Sequence, residues 1–259
     1  MWTVPPMRER QLFRDDTTPV IGTFVSGGVT SLEVLAWTGF DTVCIETEHS
    51  ARGLMEVIEL IRAADACDVP SLVRVQDLSE VGRVLDAGAD GVIIPHIDTA
   101  DQARAAVRSL HYPPDGDRGA GPGRVARHGL GRSSDLPVPL LMLMIESEEA
   151  VANVAEIAAV PGVDVLFVGP FDLATSMGVT PGADGHTDAI ASVLDACRAA
   201  GRRAGIFCRD AASLERWLGS GATFFLLGSD HLFLAKAARE ALEQSRTAIA
   251  RGLAGTVHH

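Results

Sequence analysis

The chain has 259 residues, of which 47 % are hydrophobic, and its formal net charge at pH 7 is -12. This length suits one large domain or two small ones, and the excess of acidic residues argues against nucleic acid as a partner. No apolar run approaches the roughly 20 residues that cross a bilayer, so the sequence does not predict a membrane protein.

The N-terminal segment and the cysteines indicate an intracellular protein. Residues 1–16 contain no continuous apolar stretch of the kind that a secretory signal needs, which predicts a cytoplasmic location. Cys44, Cys67, Cys197 and Cys208 are scattered and form no CxxC pair. This pattern is typical of buried free thiols.

Short apolar runs alternate along the chain with stretches in which apolar residues recur at helical spacing. Strands are predicted over residues 20–25, 41–46, 70–75, 91–96, 139–145, 163–168, 202–207 and 223–228. Helices are predicted over residues 30–37, 54–66, 78–87, 100–110, 148–160, 186–200, 211–220 and 232–250. Eight such units in about 250 residues are typical of an α/β TIM (β/α)8 barrel, and an open doubly wound sheet is the alternative. No composition shift marks a boundary, which predicts a single domain over residues 1–259.

The widest interruption of this pattern covers residues 111–139, which are rich in glycine, proline and arginine. A loop of this length in a compact domain is usually functional or mobile. Because it follows the fourth helix and precedes the fifth strand, it belongs to the N-terminal end of a barrel. From there it contributes to a site at the other end only by wrapping around the barrel or by reaching a neighbouring subunit.

Polar residues that follow the strands are the candidates for chemistry, because TIM-barrel active sites lie at the C-terminal ends of the strands. The set combines carboxylates, imidazoles and one guanidinium, which is a plausible catalytic combination. It consists of Glu46, Glu48, His49, Arg74, His96, Glu146, Asp172, Ser229 and Asp230.

Glu146 and Asp172 follow adjacent strands, so their side chains are expected to lie close together. Two neighbouring carboxylates repel each other unless a cation joins them, and hard oxygen ligands favour magnesium, manganese or a similar divalent ion. The alternative is that each residue caps the helix that follows it.

His49 is the natural proton carrier of the set at neutral pH. Arg74 lies in an otherwise apolar strand, where a guanidinium needs a glutamate such as Glu48, an anionic substrate, or both. His96 and Asp230 are weaker candidates, since either residue could simply cap a helix.

Gly169 and Pro170 end the sixth strand sharply and leave Asp172 facing the pocket. The amides of Leu173 and Ala174 are then predicted to open a helix N-terminus that suits an anion such as a substrate carboxylate.

Lysine is almost absent from the sequence, and this excludes one kind of mechanism. Schiff-base catalysis needs a desolvated lysine in the pocket, whereas the only lysine, Lys236, lies on the predicted last helix. The sequence also lacks a GxxxxGK[ST] loop, so it gives no support for ATP chemistry.

Six motifs in order resemble the HpcH/HpaI aldolase family of metal-dependent (class II) pyruvate aldolases. They are IETEHS, VRV, LDAGADGVIIP, YPPDGDRGAG, MIES and VGPFDLATSMG, and the resemblance covers residues 18–240. It implies a TIM barrel of the phosphoenolpyruvate/pyruvate type. It also implies a homo-oligomer, trimer or hexamer, in which neighbouring subunits exchange the last helix.

The resemblance also implies roles for individual residues. Glu146 and Asp172 would hold Mg2+, Mn2+ or Co2+, Arg74 would bind the ketone or enolate oxygen, and His49 would act as acid and base. The Leu173 and Ala174 amides, beside Gly169 and Pro170, would bind the carboxylate of pyruvate. Asp86 would pair with the histidine, although it ends the third helix at the opposite face of a plain barrel. This sequence departs from the family pattern at Met144, where glutamine is frequent, and at Glu46, where aspartate is usual.

The leading hypothesis is therefore a metal-dependent aldolase that reversibly cleaves 4-hydroxy-2-oxo acids to pyruvate, or a related 2-oxo acid, and an aldehyde. A CoA-ester lyase of the citrate lyase β-subunit type is the enzymatic alternative. A non-catalytic barrel that binds a small carboxylate is the alternative from another class of protein.

Overall fold

The computed structural model describes residues 12, 13, 15, 18–130 and 138–256, the last five by their backbone alone. Eight parallel strands close into one barrel in sequence order. They are β1 (Val20–Val25), β2 (Thr42–Glu46), β3 (Ser71–Arg74), β4 (Gly91–Ile94), β5 (Leu140–Ile145), β6 (Val165–Val168), β7 (Arg203–Cys208) and β8 (Ala222–Ser229). The predicted TIM barrel is confirmed, and the open sheet is wrong.

Helices follow the strands on the outside of the barrel. They are α1 (Val29–Trp37), α2 (Leu54–Ala66), α3 (Leu78–Asp86), α4 (Ala100–Leu110), α5 (Glu148–Ala152), α6 (Val154–Ala158), α7 (Pro170–Ser176), α8 (Asp184–Ala199), α9 (Ala211–Leu218) and α10 (Asp230–Thr256). The helix predicted over residues 148–160 is two helices, because the backbone of Asn153 leaves the helical conformation and its side chain donates to the Asp98 carbonyl at 2.8 Å.

The barrel has two apolar layers, one inside it and one between its strands and the helices. Side chains such as Leu72, Met142 and Phe167 fill the interior, whereas Val73, Leu143 and their neighbours face the helices. Because both faces of each strand are buried, the strands read as continuous apolar runs, and they are easily recognised in the sequence.

The loop after α4 lies at the N-terminal end of the barrel, as predicted, in the part that the structure describes. Arg118 is buried there and donates to the carboxylate of Asp86, the last residue of α3, at 2.7 Å. Arg124 pairs with Asp65 near the end of α2. Residues 131–137 of the predicted loop lie outside the described residues.

The long helix α10 begins against the barrel and then runs along the surface. Residues 234–251 are exposed, and four large apolar side chains are among the exposed ones of this helix: Leu232, Leu234, Leu242 and Ile249. Neither α10 nor any other described helix combines the length and the apolarity that a membrane crossing requires.

Candidate active site

A pocket of about 240 Å³ opens at the C-terminal end of the barrel. Its wall combines charged side chains with a group of aromatic ones. The lining residues are Phe24, Ser26, Glu46, His49, Arg74, Met144, Phe167, Gly169, Pro170, Phe171, Asp172, Phe207 and Ser229. Most of the polar residues predicted from the strand ends therefore meet in one place.

Arg74 is buried at the end of β3 and is held by two glutamates. Its Nε donates to Glu46 Oε2 at 2.7 Å, and its Nη1 lies 2.9 Å from Glu48 Oε2. Burial by itself lowers the pKa of the guanidinium, but the two carboxylates outweigh burial and raise that pKa above its ordinary value. The predicted pairing with Glu48 is confirmed, and Glu46 is a second partner. Arg74 therefore stays charged in the pocket.

Glu48, His96 and Glu146 form a compact cluster whose ligand atoms all lie within 4.8 Å of one another. The imidazole of His96 is 3.1 Å from a carboxylate oxygen of each glutamate, and the backbone N–H of His96 donates to Glu146 at 2.8 Å. His96 has a φ of 57°, in the left-handed region that non-glycine residues seldom occupy. Strain of this kind is typical of functional sites.

The pKa of the Glu146 carboxyl group is raised above its ordinary value. Burial is the main cause that raises its pKa, and the negative charges of Glu48 and Asp172 raise it further, against the opposing effect of His96. Asp172 lines the pocket mouth. Several carboxylates and an imidazole crowded together suit a divalent cation, because the cation offsets their repulsion with the oxygen and nitrogen ligands that it prefers. The cluster of Glu48, His96 and Glu146 therefore fits a divalent cation, and the predicted second ligand, Asp172, lies outside that cluster.

His49 is exposed at the mouth of the pocket. Its backbone N–H donates to Glu46 Oε1 at 2.8 Å, and its Nε2 lies 3.9 Å from Glu48 Oε2. The Glu46 carboxylate therefore fixes the backbone of His49 as well as the guanidinium of Arg74, and the His49 imidazole lines the pocket.

The segment after β6 contributes to the pocket through different atoms than the sequence predicted. Gly169 and Pro170 line the pocket, whereas Leu173 and Ala174 are buried behind it. The Leu173 amide donates to the Gly169 carbonyl at 3.0 Å, and Ala174 lies one residue deeper in the helix. The predicted amides were wrong, because helical hydrogen bonding already uses the N–H of Leu173, the fourth residue of α7, and those of the residues after it. The N–H groups of the preceding residues, Phe171 and Asp172, have no acceptor within the helix.

Gly169 is required where the chain passes Glu146. A Cβ atom at this position would lie 2.8 Å from Glu146 Oε2 and 3.0 Å from the Met144 methyl carbon. Only a residue without a side chain lets the backbone approach the carboxylate this closely.

His186 was missed by sequence reasoning because it lies on α8, far from any strand end. It is buried, accepts from the Gly182 N–H at 3.1 Å and bonds the Pro170 carbonyl at 2.7 Å. It thereby fastens the start of α7 to α8, and nothing in its sequence neighbourhood signals that contact.

Asp86 and Asp230 do not line the pocket of this chain. Asp86 lies with Arg118 at the other end of the barrel, so a contact with His49 requires a second chain. Asp230 accepts from the backbone N–H groups of Ser26 and Gly27 at 2.9 and 2.7 Å, which fixes the loop after β1.

The aromatic part of the wall was also missed. Phe24, Phe171 and Phe207 line the pocket, but a search of the strand ends for polar residues passes over them. The sequence did indicate two of these residues, since Phe24 and Phe207 each lie within one or two residues of a strand end.

Comparisons with known proteins agree with this geometry. Residues 21–237 match the family model described as HpcH/HpaI aldolase/citrate lyase. The chain is 39 % identical to a hydroxypyruvate/pyruvate aldolase of Paraburkholderia phytofirmans, over 90 % of this chain and 95 % of the relative. It is 36 % identical to a 4-hydroxy-2-oxovalerate aldolase of Rhodococcus jostii, over 81 % of this chain and 84 % of the relative. A solved HpcH/HpaI aldolase/citrate lyase family protein of Burkholderia cenocepacia superposes with a TM-score of 0.86 at 37 % identity, and the match covers 92 % of this chain and 98 % of that one.

Proposed function

This chain belongs to the HpcH/HpaI aldolase/citrate lyase family, and from that premise we propose that it is a metal-dependent aldolase of pyruvate-type 2-oxo acids. It joins the 2-oxo acid to an aldehyde to give a 4-hydroxy-2-oxo acid, and it catalyses the reverse cleavage. The observation that carries the proposal is the convergence of Glu48, His96 and Glu146 beside the buried Arg74.

Glu146 and Asp172 would hold the divalent ion, with Glu48 and His96 beside it. Mg2+, Mn2+ and Co2+ all suit such a mixed oxygen and nitrogen set. When bound, the ion supplies Lewis-acid stabilisation of the negative charge that develops on the oxygens of the 2-oxo acid.

Arg74 would donate hydrogen bonds to the ketone oxygen, on which the negative charge of the enolate is concentrated. Its position is fixed in advance by Glu46 and Glu48, so little reorganisation is needed when that charge forms. The free N–H groups of Phe171 and Asp172 would receive the carboxylate, in place of the Leu173 and Ala174 amides that the sequence predicted.

His49 would carry the proton between the substrate and water, since its side chain lies at the pocket mouth and imidazole is the group best suited to proton transfer at neutral pH. Asp86 of a neighbouring subunit would orient it. Within one chain Asp86 lies at the other end of the barrel, so this pairing depends on the assembly.

Met144 replaces a polar side chain beside the substrate. Its sulfur lies 3.9 Å from Arg74 Nη1, where it can donate no hydrogen bond to the substrate. Several relatives are hydroxypyruvate/pyruvate aldolases, and from that similarity we propose that hydroxypyruvate is accepted beside pyruvate.

The chain would act as a homo-oligomer, a trimer or a hexamer. The exposed leucines and isoleucine of α10 are an apolar surface that a neighbouring subunit would cover, consistent with exchange of this helix. A cytoplasmic location stays a prediction.

Proton exchange at the methyl group of pyruvate in deuterated water tests the function without a choice of aldehyde. We expect loss of the methyl NMR signal with Mn2+ present, no loss with a chelator, and no loss in His49→Ala or Arg74→Ala. Metal binding without exchange would favour the carboxylate-binding barrel. A CoA-ester lyase is disfavoured because Arg74 is the only lysine or arginine among the described residues that line the pocket, which leaves none for the CoA phosphates.

A further inference from the structure

His186 is the only buried histidine among the described residues, and both of its ring nitrogens are bonded to backbone groups. The Gly182 N–H donates to Nδ1 at 3.1 Å, and Nε2 lies 2.7 Å from the Pro170 carbonyl oxygen. A backbone N–H can only donate and a carbonyl can only accept. The imidazole therefore carries its single proton on Nε2, which donates to Pro170.

Packing alone does not explain a histidine at this position. An apolar side chain would join α7 to α8 without taking two polar nitrogens out of water, and burial of these nitrogens is tolerated only because both are bonded. One of the two partners, Pro170, belongs to the segment that lines the pocket. The contact of His186 therefore leads towards the site.

The Pro170 carbonyl and the Phe171 N–H belong to the same peptide unit. This unit is trans, so the two groups point in opposite directions within one plane. The bond from His186 to the carbonyl therefore fixes the direction of the Phe171 N–H, which has no acceptor within the helix. Pro170 and Phe171 both line the pocket, and under the proposed function the Phe171 N–H binds the carboxylate of the 2-oxo acid.

The bond from His186 also makes this N–H a stronger donor. A carbonyl that accepts a hydrogen bond polarises its peptide unit, and the N–H at the other end of the unit becomes more positive. The donors run in one direction, from the Gly182 N–H through the imidazole and the Pro170–Phe171 peptide unit to the pocket. In such a chain each bond strengthens the next by roughly 10–30 %.

We propose that His186 is a positioning residue for the carboxylate of the 2-oxo acid. It acts through the peptide unit of Pro170 and Phe171, whose N–H it aims and strengthens, and it does not touch the substrate. This inference rests on the proposed aldolase function. The carboxylate keeps its charge when the 2-oxo acid becomes an enolate, so the N–H stabilises both states alike. Loss of the His186 bond should therefore raise KM and leave kcat unchanged.

Asparagine and glutamine separate the two bonds of His186. In His186→Asn the amide oxygen takes the place of Nδ1, so the acceptor for Gly182 is kept, but the side chain is too short to donate to Pro170. In His186→Gln the amide nitrogen takes the place of Nε2, so the donor to Pro170 is kept. Both variants bury an amide, which makes them a matched pair.

The test measures the exchange of the pyruvate methyl protons at several pyruvate concentrations with Mn2+ present. We expect KM to rise about tenfold in His186→Asn with kcat within about twofold, and KM to stay within about threefold of the original value in His186→Gln. His231→Asn is the control and should change neither constant, because His231 is exposed on α10 and does not line the pocket.

Two results would overturn the inference. One is an equal KM in the asparagine and glutamine variants, since the donor to Pro170 would then have no effect. The other is a loss of kcat and of Mn2+ affinity together with the rise in KM, because a merely structural role would displace Asp172 with the rest of α7.

The original protein provides a second measurement that does not depend on the folding of a variant. Nitrogen-15 NMR of labelled histidine shows which ring nitrogen carries the proton. We expect one histidine with its proton on Nε2 and none on Nδ1, and we expect that proton to move downfield when pyruvate is added to the Mg2+-loaded protein, since the chain of bonds strengthens. A proton on Nδ1, or a signal that pyruvate does not move, would contradict the assignment.

Exchange in the original protein separates the two possible failures. Exchange that is present, with equal KM values in the two His186 variants, leaves the aldolase half-reaction intact and overturns only the role of His186. Absence of exchange in the metal-loaded protein overturns the proposed function and this inference with it.

Discussion

At the N-terminal end of the barrel, Asp65 and Asp86 each face one arginine of the loop that follows α4. At the C-terminal end, Glu46 and Glu48 hold the guanidinium of Arg74, and Glu146 lies beside Glu48 and His96. Asp65 and Asp86 each have an arginine of their own, whereas of the three C-terminal glutamates only Glu46 and Glu48 bond an arginine in the described structure, and both bond Arg74. Buried carboxylates in excess are costly unless something neutralises them, so this imbalance supports the proposed cation site.

The Glu146→Gln substitution should have the largest effect. We expect the rate of pyruvate methyl exchange to fall by at least about 1,000-fold, because the buried carboxylate that would hold the ion is lost. Thermal stability of the metal-free protein should not fall at pH 8. Burial raises the pKa of Glu146 in the folded state, so its ionised form opposes folding above that pKa, and glutamine removes this opposition.

Glu148→Gln is the control for this substitution, since Glu148 is an exposed residue of the first turn of α5. It should leave both exchange and melting temperature unchanged. A Glu146→Gln protein that retains full exchange would contradict the role of the carboxylate excess.

Arg74→Lys should reduce exchange by about 100-fold, because a lysine keeps the charge but cannot bond Glu46, Glu48 and the substrate oxygen with one planar group. The measurement is the same exchange rate at saturating pyruvate. Arg104→Lys on the exposed surface of α4 is the matched control. Near-normal exchange in the Arg74→Lys protein would show that only the positive charge matters.

Co-expression of Asp86→Asn and His49→Ala chains tests whether the two ends of neighbouring barrels form one site. Each variant alone should be almost inactive, whereas mixed oligomers should recover exchange, because some sites then combine an intact His49 with an intact Asp86 from another chain. Inactive mixed oligomers, verified as mixed by mass spectrometry, would place Asp86 outside the active site.

Arg118→Met should lower stability and leave the affinity of the pocket for a metal ion unchanged. It removes the partner of Asp86, which is 30 % exposed, so water softens the penalty to about 2 kcal/mol. This corresponds to about 6 °C in melting temperature for a chain of this size. Calorimetry measures the shift, and titration of Mn2+ should give an unchanged affinity. A weakened Mn2+ affinity would mean that the two ends are coupled.

The smallest effect is expected from treating the cysteines with an alkylating reagent. Burial raises the pKa of the Cys208 thiol to about 12 and that of Cys197 to about 12, so neither forms a thiolate at pH 8. Iodoacetamide should label only the half-buried Cys67 in the native protein, and mass spectrometry after digestion locates the label. Labelling of Cys197 as fast as Cys67 would reveal that the barrel opens locally.

Much of the site follows from the sequence because strand ends of a parallel barrel converge. Glu146, Arg74, His49 and Asp172 were found in this way, and the pairing of Arg74 with Glu48 followed from the cost of a buried charge. The rule fails for His186, which reaches Pro170 from a helix. It also fails for the amides of Leu173 and Ala174. The residue at which α7 begins decides which N–H groups stay free, and sequence patterns locate helix ends poorly.

The sequence by itself determined the eight strand-helix units, because apolar periodicity depends only on local order along the chain, and these units together with the family resemblance favoured the barrel over an open sheet. It also determined which strand ends carry charge. Only the tertiary structure decided that His96 lies between Glu48 and Glu146, that Asp86 faces Arg118, and that three phenylalanines share one wall. These are contacts between side chains far apart in sequence, and their distances depend on strand register, barrel closure and rotamers that no local pattern encodes.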